Sequence, residues 1–348
     1  MVHLRLVVPA ESAQAVLACL EGGRAVINII HLPGAAHRPD GDVMMCDVAR
    51  EDASVIIADL RALGVDRGGS IAVESVDTSI STAADRAERD AVGSAADAVV
   101  WEDVERTTSE SAELSATYLA FMVLATLIAS VGIYLDSAIL VVGAMVVGPE
   151  FGPVAGVCVA VVQRRRALAL ASGRALVIGF PLGIAAVILA SLTFKALGVT
   201  PETFTEADHS LSATIAAPDF FAFFVAFCAG IAGMLSLTTA KSGALIGVLI
   251  SVTTIPASAN VGVAAAYGDW AAFRGSAAQL AINLTSLLLA GTLTLLAQRA
   301  LYERRRRHVV AQPRASTVES AATHAAQNCE EAPAANSESA ASRGSGPR

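Results

Sequence analysis

The chain has 348 residues, of which 54% are hydrophobic and only 16% charged, and its mean hydropathy is +0.58. That is too apolar for an ordinary water-soluble fold and points to several membrane spans. A formal net charge of −8, with basic residues gathered in two short clusters, argues against a nucleic-acid partner.

Residues 1–78 read as a small soluble domain. Residues 3–8 alternate as a strand does, and 11–20 form a helical stretch with Ser12 as its cap and Gly22-Gly23 as its stop. Residues 24–31 (RAVINIIH) are a second strand, followed by a turn-rich loop, LPGAAHRPDGD. Residues 43–48 make a third strand, 51–63 a second helix closed by Gly64, and 70–76 a fourth strand with Glu74 outward. The order β-α-β-β-α-β predicts a small α+β ferredoxin-like domain. Residues 79–115 form a polar, Ala- and Glu-rich connector of one or two amphipathic helices. Its apolar patch is Val99, Val100, Trp101 and Val104, and Trp101 either anchors at the membrane interface or packs on the soluble domain.

Six apolar runs follow, at 116–135, 137–163, 167–194, 219–240, 242–268 and 275–297. They define an α-helical polytopic membrane protein with a six-helix domain over 116–300. Residues 301–348 are a basic cluster and a disordered tail. Basic residues at 164–166, Lys241 and 304–307 fall on one side if the N-terminus is inside; Asp136, the loop with Glu202, Glu206 and Asp208, and Asp269 fall on the other. No secretory signal is visible, so both termini are expected in the cytoplasm.

The second run, SAILVVGAMVVGPEFGPVAGVCVAVVQ, carries one charge, Glu150, close to its middle. Gly148, Pro149, Gly152 and Pro153 surround it, and all four are poor helix formers. An acid beside loosened backbone at membrane depth is costly and normally faces protein or a water-filled cavity. The fifth run, SGALIGVLISVTTIPASANVGV, matches the second in outline: a small polar start, then a proline, Pro256, then small residues. Each run is the middle one of three, so the two halves read as a 3+3 inverted repeat, with the site where broken helices meet. Glu150 then faces Thr253, Thr254, Ser258 and Asn260, and Asn283 in the sixth run adds an amide. The plainer reading of these hydroxyls and amides is a hydrogen bond to a neighbouring helix.

Three blocks resemble a known family. YLAFMVLATLIASVGIYLDSAILVVGAMVVGPEFGPVAG (118–156), APDFFAFFVAFCAGIAGMLSL (217–237) and ISVTTIPASANVGVA (250–264), with Asn283 in QLAINL, look like the uncharacterised hydrophobic membrane domain family, domain of unknown function 389. The resemblance covers about residues 95–300 and implies an integral bacterial membrane protein with a cytoplasmic N-terminal domain; it supplies no substrate. Many relatives are apolar where Glu150 stands and carry a second proline where Ala257 stands, so the Gly/Pro break carries the family-wide part of the hypothesis.

No phosphate-binding glycine loop, H-E-x-x-H, C-x-x-C or G-x-S-x-G is present, and the five cysteines have no metal-binding spacing. An enzyme, a cofactor and a bound metal are therefore not expected. The leading reading is an inner-membrane transporter or channel for a small solute or ion, with the soluble domain in regulation or homo-oligomeric assembly. Its site residues are Glu150, Gly148, Pro149, Gly152, Pro153, Thr253, Thr254, Pro256, Asn260 and Asn283. The competing reading is a membrane sensor or scaffold that moves no solute.

Overall fold

A computed structural model describes residues 1–23, 25–76, 81–90, 99–200, 204, 210–239 and 253–311. The chain divides into Met1–Arg299 and Ala300–Arg348, and every contact below lies within the first unit.

The N-terminal region is a four-stranded antiparallel sheet with helices on one face. The strands are β1 (Val2–Val8), β2 (Val26–His37), β3 (Asp40–Val48) and β4 (Ser70–Ser75), in the spatial order β2-β3-β1-β4. Period-2 alternation sets the buried face: Val2, Leu4, Leu6 and Val8 of β1 and Met44, Cys46 and Val48 of β3 point the same way. Helix α1 (Ala13–Glu21) covers them with Val16 and Leu20, and α2 (Arg50–Ala62) with Ile56, Ile57 and Leu60. Burying each of these large side chains contributes about 1.5–3 kcal/mol before entropy is counted. A one-turn helix, α3 (Val65–Gly68), leads into β4.

Two local expectations fail in this region. The turn-rich loop is mostly strand: β2 runs on to His37 and β3 starts at Asp40. The turn residues are accommodated by irregular register between Leu32 and Ala36, and a bulge lets strand pairing continue through glycine. Ser12 makes no capping bond; it ends a short 3-10 turn ahead of α1.

The connector contains α4 (Thr82–Asp90) and α5 (Trp101–Ser111), and residues 91–98 lie outside the described set. Its apolar patch is shared between two cores. Val100 joins the sheet domain's core, whereas Val104 is buried with Phe151, Val154 and Ala155, and Trp101 packs against that second group.

The remaining described elements are helices: α6 (Ala116–Tyr134), α7 (Ala138–Val147), α8 (Phe151–Gln163), α9 (Arg166–Ala196), α10 (Ser210–Ala216), α11 (Phe220–Thr238), α12 (Thr254–Tyr267) and α13 (Trp270–Ala311). Side-chain caps set two starts: Ser115 accepts from Tyr118 N at 3.1 Å, and Asp219 accepts from Ala222 N at 2.7 Å. Among the described residues, four helices are long and apolar enough to cross a bilayer, Ala116–Tyr134, Arg166–Ala196, Phe220–Thr238 and Trp270–Leu301. Counting α7 and α8, which bend by 49° at their junction, as one broken span brings the number to five. The expected sixth, over 242–268, is described only from residue 253 on, and α12 alone has 14 residues. That falls short of the roughly 20 a span needs.

The helices are patterned for an apolar solvent. Ile139 is 85% exposed and Val177 72%, while Ser172, Thr254, Ser258 and Asn260 are wholly buried. Large apolar groups outside and small polar groups inside are what helix packing in lipid favours.

The segment at 195–217 departs from the expected polar loop. Phe204 is buried, and residues 210–216 fold as α10 with Ser212 and Ile215 turned inward. Asp136, at φ +48 in the turn between α6 and α7, holds the start of α10: its carboxylate accepts from Ser210 Oγ at 2.7 Å and Leu211 N at 2.9 Å. Glu202, Glu206, Asp208, His209, Lys241 and residues 312–348 lie outside the described residues.

Candidate functional site

The break in the second run falls where the sequence loses its helix formers. α7 ends at Val147, Gly148 and Pro149 are extended or irregular, and α8 starts at Phe151. Pro149 has no N–H to offer the carbonyl of Met145, so the backbone ladder must stop there. Gly148 is required by packing, because a Cβ there would strike Glu150 Oε2 and lie 2.6 Å from Ile255 Cγ1. Gly152 is required likewise, since its Cβ would lie 2.7 Å from that of Ser111 in α5.

Glu150 occupies the N-terminal end of α8 and is 4% exposed. Its Oε1 accepts a hydrogen bond from Thr254 Oγ1 at 2.6 Å. Thr254 is the first residue of α12, so the acid that precedes α8 is bonded to the N-terminal residue of a second helix, though it makes no capping bond to α8 itself. Glu150 Oε2 is shut from water and has no hydrogen-bond partner among the described residues. No described cation pairs with it. Pro153 and Pro256 are each the third residue of their helix, in the first turn, where a missing N–H costs least. They start helices here and do not kink them.

The remaining predicted residues separate into distinct groups. Thr253 and Asn283 come together, with Asn283 Nδ2 donating to Thr253 Oγ1 at 2.9 Å. Asn260 lies further along α12, away from the acid. It accepts from Ser212 Oγ at 2.9 Å and donates to Ser276 Oγ at 2.8 Å and to the carbonyl of Ser212 at 3.3 Å. This amide ties α10, α12 and α13 together. Ser258 only bonds back to the carbonyl of Ile255 at 2.8 Å. Residues 253 to 260 extend over about two helix turns, too far along the axis to meet at a single point, and among the described residues only Thr254 of these four bonds to Glu150.

Sequence reasoning missed Gln279, Ser212 and Ser276. Gln279 Nε2 donates to Asn283 Oδ1 at 2.9 Å, four positions along the same helix. That spacing within an uncharged run was its visible signal. Ser212 and Ser276 carried no comparable mark. Among the described residues, no group of three or more His, Cys, Asp or Glu is arranged to hold a metal.

The connector reaches this site from the other side. Ser111 covers Gly152, and Glu105 pairs with Arg165 at 3.0 Å. At its other end Ser54 of α2 donates to Glu102 at 3.0 Å and accepts from Trp101 N at 3.2 Å.

Apolar helices of spanning length around buried acid and amide groups define a helical membrane protein. Residues 145–289 match the family described as Domain of unknown function (DUF389), a stretch that includes the break, both threonines and the Gln279–Asn283 pair. It lies within the range over which the resemblance was read. An uncharacterised protein of Methanocaldococcus jannaschii is 27% identical over 165 residues, 47% of this chain and 49% of the relative. The chain thus spans about half the length of that curated relative. No solved structure matches it.

Proposed function

We propose that the chain is a transporter or channel for a small solute or ion, with Glu150 as its coupling or selectivity carboxylate. One observation carries this reading: a buried acid at a helix break, bonded through one oxygen to the first residue of a second helix. Converging half-helix ends are how many secondary transporters build a site at the bilayer midplane. The matching starts of α8 and α12, each with proline third, favour a 3+3 inverted repeat and six spans. In this reading the protein lies in a bacterial inner membrane with both termini in the cytoplasm and performs no enzymatic chemistry. Strand order β2-β3-β1-β4 and helices on one face favour a ferredoxin-like plan for the first 78 residues, in a regulatory or assembly role.

The test is flux into proteoliposomes, read with an internal pH dye and with labelled sodium and rubidium. Glu150→Gln keeps the volume and removes the charge. It should lower flux about tenfold or more, the factor that 1.4 kcal/mol of lost interaction gives. Unchanged flux and unchanged pH dependence in the variant would refute the role of the acid. Wild-type vesicles no leakier than protein-free ones to all three probes would favour the sensor reading. The packing of α5 on α8 supports that second reading, because it joins the sheet domain to the break through continuous contacts.

A further inference from the structure

A cleft of about 630 Å³ lies between α10, the start of α11, Thr253 and α13. Its walls include Ile215, Ala217, Phe221 and Val225, and its polar lining includes Thr253, Gln279 and Asn283. Size and composition are those of sites that take a small organic molecule.

The polar groups at the back form a ladder that runs one way. Gln279 Nε2 donates to Asn283 Oδ1 at 2.9 Å, and Asn283 Nδ2 donates to Thr253 Oγ1 at 2.9 Å. Each end is left with an unused function. Gln279 is 3% exposed, and its Oε1 has no hydrogen-bond partner among the described residues. Thr253 Oγ1 already accepts, so its own O–H is left to donate. One buried acceptor and one donor therefore border a largely apolar cleft. A pure hydrocarbon would leave both unused, and buried polar groups are rarely left so. No cation lines the cleft among the described residues, and the carboxylate there, Asp219, already caps α11. An anionic guest therefore finds no counter-charge among the described residues, and a cationic one finds only Asp219, whose Oδ1 is engaged at the start of α11.

We propose that this cleft binds an uncharged, mostly apolar molecule bearing a hydroxyl or amide N–H, which donates to Gln279 Oε1 and accepts from Thr253. A neutral lipid with a free hydroxyl and a water-borne alcohol or phenol share that chemistry. The inference goes beyond the transport reading and stands without it, since binding is read in detergent with no gradient.

The probe is a photoreactive decanol carrying a diazirine, compared with its methyl ether, which keeps the chain and loses the donor. Mass spectrometry of the full-length protein reads labelling on α11 and α13. The alcohol should label cleft residues about tenfold more than the ether, as expected where a buried acceptor is otherwise left unpaired. Gln279→Leu should remove that preference. Thr253→Val should weaken it and Thr253→Ser retain it, which keeps the test alive if the leucine variant does not fold. Better competition by a monoacylglycerol than by free decanol assigns the guest to the bilayer, and the reverse assigns it to water. Equal labelling by alcohol and ether, or a preference that survives both Gln279→Leu and Thr253→Val, overturns the proposal.

Discussion

The sheet domain and the helical bundle solve opposite solvation problems. In the sheet domain the core is apolar side chains from β1, β3, α1 and α2, and the hydrogen-bonded pairs His3–Asp47 and His31–Asp42, both 2.7 Å, stay partly open to water. In the bundle the arrangement inverts: Glu150, Asn260, Gln279 and Asn283 are buried, and isoleucine, valine and phenylalanine face outward. Water rewards the first arrangement through the hydrophobic effect. Lipid offers no such drive between helices and leaves packing and interhelical hydrogen bonds to hold them. In this chain, buried apolar volume should govern stability before residue 78, and buried polar partners after residue 116.

The largest expected effect tests the first half of that contrast. Leu6→Ala opens a cavity in a core where Leu6 is wholly buried, and should destabilise the sheet domain by about 2–5 kcal/mol. Hydrogen exchange of β1 and β3 in the full chain measures it, and a loss below about 1 kcal/mol would show that the core collapses around the gap. Next, Asn260→Ala strands Ser212 and Ser276 and should cost about 1–3 kcal/mol. Thermal unfolding in detergent reads this, and a neutral result would break the claim that polar partners hold the bundle.

Gly152→Val drives a branched side chain against Ser111 and should cost about 1–3 kcal/mol through overpacking. Cysteine crosslinking between α5 and α8 should fall in that variant; unchanged crosslinking would mean the two helices part without cost. Glu150→Leu sharpens the contrast from the other side. Replacing a buried, half-satisfied acid by a hydrocarbon should leave stability unchanged or raise it by about 1 kcal/mol and, on the transport reading, abolish flux. A fall in melting temperature would mean that the acid is structural.

The smallest effect is at the β2–β3 hairpin. The backbone N–H of Gly34, and then His31, hold the Asp42 carboxyl below the usual carboxylate range. A depressed acid adds stability above its unfolded value of about 4, and that stability disappears as pH falls through the lowered folded value. Protection of residues 32–42, corrected for the intrinsic exchange rate, should therefore fall at acid pH, and Asp42→Asn should flatten that dependence.

Much of this architecture could be read from particular residues. Alternation in VHLRLVV marked β1, and GPEFGP marked the break, because proline and glycine act locally and say so in the chain. Bonding partners were less legible. Thr253, Thr254, Ser258 and Asn260 are all small polar residues in sequence, yet their spacing along about two turns, as much as around the axis, sends them to different neighbours. Residues 210–216 hid a helix inside a polar stretch because its cap, Asp136, is some seventy positions away in sequence. Gln279 was overlooked although its partner, Asn283, stands four positions on in the same run; the pairing had to be sought at helical spacing.

Thr253 stands just ahead of α12 and Thr254 is its first residue, and the two side chains go to different partners. One grips the amide ladder behind the cleft; the other grips the acid at the break. A small roll of α12 about its own axis would loosen one grip as it shifts the other. Both bonds start from one dipeptide, so a substitution that displaces the start of α12 would weaken the two together.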